Sequence, residues 1–236
     1  MKTDSRPLHH LDWPLVRAGV MQMLPLCIFV IVFGVAFGLA ANQAGVSGTM
    51  SVVMSVLMFA GASQFAALEL WGPTLPVAAL LLTVFAINAR NLLMGATLYP
   101  WLCQLPPGRR YAILLMLSDA NWAMAMQAFE RKRHGLGILV GGGAALWLFW
   151  AVGTWLGVYF GGAVRNPTSI GLDMVMACFL FAMVLSGERN LRMFIIWTVA
   201  VAVSLLAYRY LPENSHVIAG AVAGGVIGVF WAGPES

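Results

Sequence analysis

Eight apolar segments of roughly 20 residues each follow one another along this chain and constrain its fold more than any other feature. About 20 apolar residues in a helix are needed to cross the hydrocarbon core of a bilayer, so each segment predicts a membrane-spanning helix. We expect an all-α, polytopic transmembrane helix bundle of seven or eight spans, with six as an alternative, in a single domain covering residues 1–236. The segments are 19–41, 47–70, 75–98, 111–128, 136–163, 168–186, 191–210 and 217–232.

The composition supports a membrane protein and excludes a soluble domain. Hydrophobic residues make up 61% of the chain and charged residues 9%, whereas soluble domains have about 45–50% apolar and about 25% charged residues. The net charge of +4 reflects Lys and Arg at segment ends, which is typical of membrane topology and does not indicate nucleic-acid binding. Eight of these basic residues fall on the side of the N-terminus and four on the other, so we expect residues 1–18 to form a short cytoplasmic or interfacial segment.

The second segment contains the stretch FAGASQFAAL, residues 59–68, which places small and polar residues where lipid favours leucine. Gly61 and Ala62 allow another helix or a solute to approach the backbone, and Ser63 and Gln64 provide hydrogen-bonding groups. If the helix unwinds here, its freed N–H groups form an anion site at the start of a half-helix. Simple helix packing is the alternative explanation for the small residues alone.

The third segment carries Asn88, Arg90 and Asn91 within INARNLLMGATLYP. Arg90 falls about 5 Å from the middle of its predicted span. Even on a lenient insertion scale, a central Arg costs roughly 2.5–3.5 kcal/mol. We expect Asp119, near the middle of the fourth segment, to offset this cost by direct contact with Arg90. A structural pair that only holds two helices in register is the alternative to a functional one.

Polar residues inside a span must face protein, water or each other, because lipid offers no hydrogen-bond partner. The two polar stretches therefore predict broken or re-entrant helices around residues 60–65 and 88–91. Together with Asp119 they predict a binding site near the middle of the membrane, between the second, third and fourth segments.

Glycines at four-residue spacing predict helix faces that pack closely against a neighbour. They are Gly34 and Gly38, then Gly153, Gly157 and Gly161, and finally Gly220, Gly224 and Gly228. One of these stripes is a candidate contact with a second subunit.

Enzyme chemistry has little support in the sequence. The histidines fall in loops, in tails or at a helix end, so an intramembrane Ser–His hydrolase would lack its base. There is also no Gly-rich phosphate loop, no metal-ligand cluster and no close pairing of cysteines. We therefore expect the protein to be no enzyme and to bind neither metal nor cofactor.

Five motifs in order give the chain a family resemblance. They are FGVAFGLAA, FAGASQFAAL, NARNLLMGATLYP, the Ser118-Asp119 pair and GLDMVMACFLFAMVL. Over residues 19–185 the chain resembles the AzlC family of permeases (the YgaZ-like group), the large subunit of bacterial branched-chain amino acid exporters. The chain departs from the family in two places: Asn91 stands where His or Tyr is common, and Ala120 where a second acid is common.

The resemblance implies a multi-pass protein of the bacterial inner membrane with a cytoplasmic N-terminus. It implies export of neutral amino acids, typically valine, leucine and isoleucine and often methionine. It further implies that the proton motive force drives export and that a small AzlD-type membrane subunit is the partner.

We expect a zwitterionic substrate to be bound at three kinds of group. Its carboxylate would meet Arg90 or the backbone N–H groups around Ser63 and Gln64, and its ammonium would meet Asp119, Asn88 or freed carbonyls. Its apolar side chain would meet Phe59, Phe65 and neighbouring aliphatic residues. As the only central acid, Asp119 is also the candidate for proton coupling. The predicted substrate-binding residues are Phe59, Ser63, Gln64, Phe65, Asn88, Arg90, Asn91 and Asp119. The alternatives are a channel for a small polar solute and a non-transporting membrane assembly subunit.

Overall fold

The computed structural model describes residues 12–72, 75–131, 135–161, 174, 190–211 and 215–230. Within these ranges the chain forms nine helices and no strand, which confirms the predicted all-α membrane bundle. The helices are α1 (Trp13–Gln43), α2 (Gly48–Leu57), α3 (Gly61–Glu69), α4 (Val77–Leu102), α5 (Pro107–Leu115), α6 (Asp119–Glu130), α7 (Gly135–Gly161), α8 (Leu191–Tyr210) and α9 (Ser215–Phe230).

Four helices, α1, α4, α7 and α8, are long and apolar enough to cross a membrane. The second predicted segment is divided between α2 and α3, and the fourth between α5 and α6. Apart from residue 174, the sixth segment, 168–186, lies outside the described residues. The total number of crossings therefore stays a prediction.

The first helix break lies close to the place that the sequence predicts. α2 ends at Leu57, and the backbone is non-helical at Met58 (φ −127°, ψ 96°) and Ala60 (φ −146°, ψ 64°). α3 then starts at Gly61, the first of the small residues in GASQF.

The break predicted around residues 88–91 is wrong. α4 runs without interruption from Val77 to Leu102, because polar side chains on an intact helix can bond to neighbouring helices while the backbone stays satisfied within the helix. The second break instead separates α5 from α6 at residues 116–118, where Ser118 is extended (φ −142°, ψ 164°) and precedes the first turn of α6.

The closest packing in the bundle joins α1 to α7, and it uses the predicted glycine stripes. A Cβ atom added to Gly38 would lie 2.8 Å from the backbone N of Val158, and one added to Gly157 would lie 2.9 Å from the Cα of Val35. Real Cβ atoms do not approach backbone this closely, so the two helices meet backbone to backbone. The prediction that these stripes are packing faces is confirmed.

This packing predicts that Gly38→Ala destabilises the fold, whereas Gly225→Ala does not. The methyl at position 38 has no space, and forced overpacking costs about 1–3 kcal/mol. Gly225 on α9 has no atom within 4 Å of an added Cβ, and alanine favours a helix over glycine. The melting temperatures of the two purified variants in detergent test this, and equal values for both would contradict it.

Candidate functional site

A closed ring of hydrogen bonds holds the first broken helix against α7. Trp150 Nε1 donates to Gln64 Oε1 at 3.1 Å, and Gln64 Nε2 donates to Ser55 Oγ at 3.3 Å. Ser55 Oγ lies 2.8 Å from Thr154 Oγ1, which donates to the Trp150 carbonyl at 3.0 Å. Since the single Thr154 hydroxyl proton is used on that carbonyl, Ser55 is the donor to Thr154. We call these four residues the Gln64 ring, and each is at most 2% exposed.

A second tryptophan of α7 holds the other side of the same break. Trp147 Nε1 donates to the carbonyl of Val56 at 2.9 Å, in the last turn of α2. The final carbonyls of a helix have no partner within it, so this bond satisfies a group that the break exposes. α7 therefore binds both α2 and α3.

Ser63 links α3 to α4. Its hydroxyl donates to the Ala60 carbonyl at 2.9 Å and accepts from Asn88 Nδ2 at 3.0 Å. The carbonyl oxygen of Asn88 has no partner among the described residues. This oxygen is thus an acceptor that a solute could use.

The second break is held by one buried amide, that of Asn121. Its oxygen accepts from the backbone N–H of Ser118 at 2.7 Å and from the Ser118 hydroxyl at 3.0 Å. Its nitrogen donates to the carbonyl of Met116 at 3.0 Å and to that of Leu139 in α7 at 3.1 Å. With 1% of its surface exposed, Asn121 fixes residues 116–118 against α7.

The predicted contact between Arg90 and Asp119 is present. Arg90 Nη1 lies 2.9 Å from Asp119 Oδ2, and the two side chains are 39% and 48% exposed. Asp119 is the first residue of α6, where the positive end of the helix dipole also favours a carboxylate. The two charges are thus paired and still partly exposed.

α4 lies between the two broken helices and contacts both. Asn88 and Arg90 are two residues apart, so their side chains leave the helix about 200° apart, one toward α3 and the other toward α6. A further bond from Trp122 Nε1 to Thr97 Oγ1, at 2.8 Å, joins α6 to α4. We define the candidate site as Ser63, Asn88, Arg90 and Asp119.

The other predicted site residues lie around this group in different surroundings. The amide of Gln64 is enclosed in its ring, and the ring of Phe65 stacks on Phe33 at 4.9 Å within the core. Phe59 is partly buried against an apolar cluster that includes Ala120. Asn91 is partly exposed and makes no hydrogen bond among the described residues.

Sequence reasoning missed the residues that hold the breaks. Asn121, Trp150, Thr154 and Ser55 were not predicted as part of the site. The Ser118-x-x-Asn121 spacing carries a signal, because a polar residue three positions after a cap is typical of a helix start. The i,i+4 spacing of Trp150 and Thr154 carries a weaker one, since it places both on one face of α7.

Comparison with known protein families gives one match. A family model described as AzlC protein matches residues 25–164, which is more than half of the 236-residue chain. The chain belongs to the AzlC family. This family is associated with branched-chain amino acid transport, and its members typically work with a partner subunit.

The matched region of this AzlC protein contains both helix breaks, all of α4 and the whole candidate site, and it ends before α8. The last motif of the resemblance, at residues 171–185, lies beyond the match and, apart from residue 174, outside the described residues. Neither the curated proteins nor the solved structures gave a significant match.

The hydrogen bonds of Asn121 predict that Asn121→Ala lowers the free energy of unfolding by at least about 2 kcal/mol, because buried carbonyl and N–H groups lose their partners. Asn91→Ala is the matched control, and we expect its effect to stay within about 0.5 kcal/mol. Thermal unfolding of the two variants in the same detergent compares them. Similar losses of stability would contradict the role of Asn121 in holding the second break.

Proposed function

We propose that this protein is the large subunit of a secondary transporter that exports neutral, branched-chain amino acids. The substrates are valine, leucine and isoleucine, with methionine as a further candidate. The transporter works in the bacterial inner membrane with its N-terminus in the cytoplasm, together with a small AzlD-type subunit. The observation that carries the proposal is an accessible Arg90–Asp119 pair within apolar helices of an AzlC family member.

The charges of the pair suit a zwitterion. The guanidinium of Arg90 binds the substrate carboxylate, and the carboxylate of Asp119 binds the ammonium with help from the free carbonyl oxygen of Asn88. Opening the pair leaves two opposite charges, and an amino acid satisfies both at once. A ligand with a single charge would match only one of these two groups.

The surrounding residues serve the substrate in two ways. Asn91 provides a second amide beside Arg90, and Phe59 provides an apolar wall for the substrate side chain. Gln64 and Phe65 do not contact the substrate in this proposal, because protein encloses their side chains. They hold α3 and thereby Ser63.

Asp119 is also the proposed proton carrier. Without substrate its carboxylate is paired with Arg90. When the substrate carboxylate occupies Arg90, Asp119 is released and becomes free to bind the substrate ammonium or a proton. Exchange between these states couples the proton gradient to export.

Loss of the guanidinium should abolish uphill transport. In proteoliposomes that contain the protein and its small partner, we expect Arg90→Ala to reduce efflux of labelled leucine driven by a proton gradient more than about tenfold, because a lost charge-assisted contact is worth about 1.5–3 kcal/mol. Arg109→Ala is the control, because Arg109 is an exposed residue of α5. Equal efflux from the two variants would contradict a role for Arg90 in the pathway.

Neutralising Asp119 should separate export from the proton gradient. We expect Asp119→Asn to remain folded and to lose the dependence of leucine efflux on an imposed pH difference. Glu130→Gln, at the exposed end of the same helix, should keep that dependence. The measurement is initial efflux with and without the gradient, and export by Asp119→Asn that still follows the gradient would remove Asp119 from the coupling scheme.

A further inference from the structure

The Gln64 ring lies next to the candidate site without being part of it. Its members come from α2 (Ser55), α3 (Gln64) and α7 (Trp150 and Thr154), and all are buried. Each group in the ring donates one hydrogen bond to the next, so the ring is complete only when all four are present. In a low-dielectric interior such bonds strengthen one another, and an open ring leaves buried polar groups without partners.

We propose that Thr154 of α7 is a positioning residue for the candidate site and acts on it through the Gln64 ring. This proposal rests on the proposed transport function only for its kinetic test. Thr154 touches neither Arg90 nor Asp119 among its hydrogen-bond partners. Its effect passes through Ser55 and Gln64 to the first turn of α3.

The path from the ring to the site is short. Gln64 and Ser63 are consecutive in the first turn of α3, so their side chains leave the helix about 100° apart. Holding the side chain of Gln64 against α7 therefore also fixes the direction of the Ser63 side chain. There the Ser63 hydroxyl accepts from Asn88. Asn88 lies two residues from Arg90, so the position of α3 determines how that part of α4 is held.

The other side of the site is anchored on the same helix. Asp119 follows residues 116–118, which Asn121 fastens to the carbonyl of Leu139 in α7. Leu139 and Trp150 are separated by 11 residues of α7, or about 16 Å along the helix axis. α7 therefore sets the spacing between the two half-helices that α4 has to bridge with Asn88 and Arg90.

A pair of variants at Thr154 separates positioning from simple stability. Thr154→Val keeps the branched shape of the side chain but removes the hydroxyl, and Thr154→Ser keeps the hydroxyl. In proteoliposomes with the partner subunit, we expect Thr154→Val to raise the apparent KM for leucine efflux about fivefold or more, the effect of one lost hydrogen bond. We expect kcat per folded protein to change less than about twofold, and Thr154→Ser to restore the KM.

A cross-linking measurement tests the same idea without transport. Ser63 Oγ and Asn88 Nδ2 meet at 3.0 Å, so cysteines introduced at both positions should be joined by a short bifunctional thiol reagent such as a bis-methanethiosulfonate. The native cysteines 27, 103 and 178 are first replaced by alanine. Peptide mapping by mass spectrometry then gives the rate of cross-link formation, which we expect to fall about fivefold or more with Thr154→Val and to recover with Thr154→Ser.

The outcomes distinguish the two proposals. If the unaltered protein exports neither leucine nor methionine while the cross-linking rates change as expected, the positioning role stands and the proposed function fails. If Thr154→Val lowers only the melting temperature, or if the Val and Ser variants behave alike, the positioning role is overturned. Should Thr154→Val not fold, Ser55→Ala opens the same ring from α2 and is subject to the same two measurements.

Discussion

The structure depends on one constraint: a backbone group freed by a helix break inside a membrane must find a partner in the protein, because lipid supplies none. Both breaks meet this constraint through α7. Trp147 satisfies the Val56 carbonyl at the end of α2, and Asn121 ties the Met116 carbonyl to the second break and reaches Leu139. The apolar composition of α7 conceals this role, because indole nitrogens and backbone carbonyls do most of the bonding.

A difference in burial divides the molecule into a frame and a more accessible element. α1 and α7 meet backbone to backbone at their glycines, and the Gln64 ring and Asn121 fix the broken helices to α7 with bonds hidden from solvent. α4 is held to α3 and α6 by side-chain pairs such as Arg90 with Asp119, which are partly exposed. In the proposed function, a solute replaces polar contacts of α4 while the frame stays intact.

The sequence predicted the parts of this arrangement that follow from the free-energy cost of placing polar groups in lipid. The apolar segments, the break near GASQF and the Arg90–Asp119 contact all follow from what lipid penalises. The predicted break at 88–91 was wrong, because partners on neighbouring helices already satisfy these side chains and the helix has no reason to open. The roles of Asn121 and Thr154 were not predicted. A single amide or hydroxyl in an apolar helix has a role that depends on its hydrogen-bond partner, and here that partner is distant in the chain.

Ala120 shows how the balance of charge bears on what the site accepts. Its side chain packs in the same apolar cluster as Met23 and Phe59, on the side of α6 that faces the frame. Of the four residues of the candidate site, Arg90 is positive, Asp119 is negative and the other two are neutral, so their charges cancel. With alanine at position 120, Asp119 is the one acid among these four residues. A ligand that carries one positive and one negative charge matches both Arg90 and Asp119, which is the basis of the proposed zwitterionic substrate.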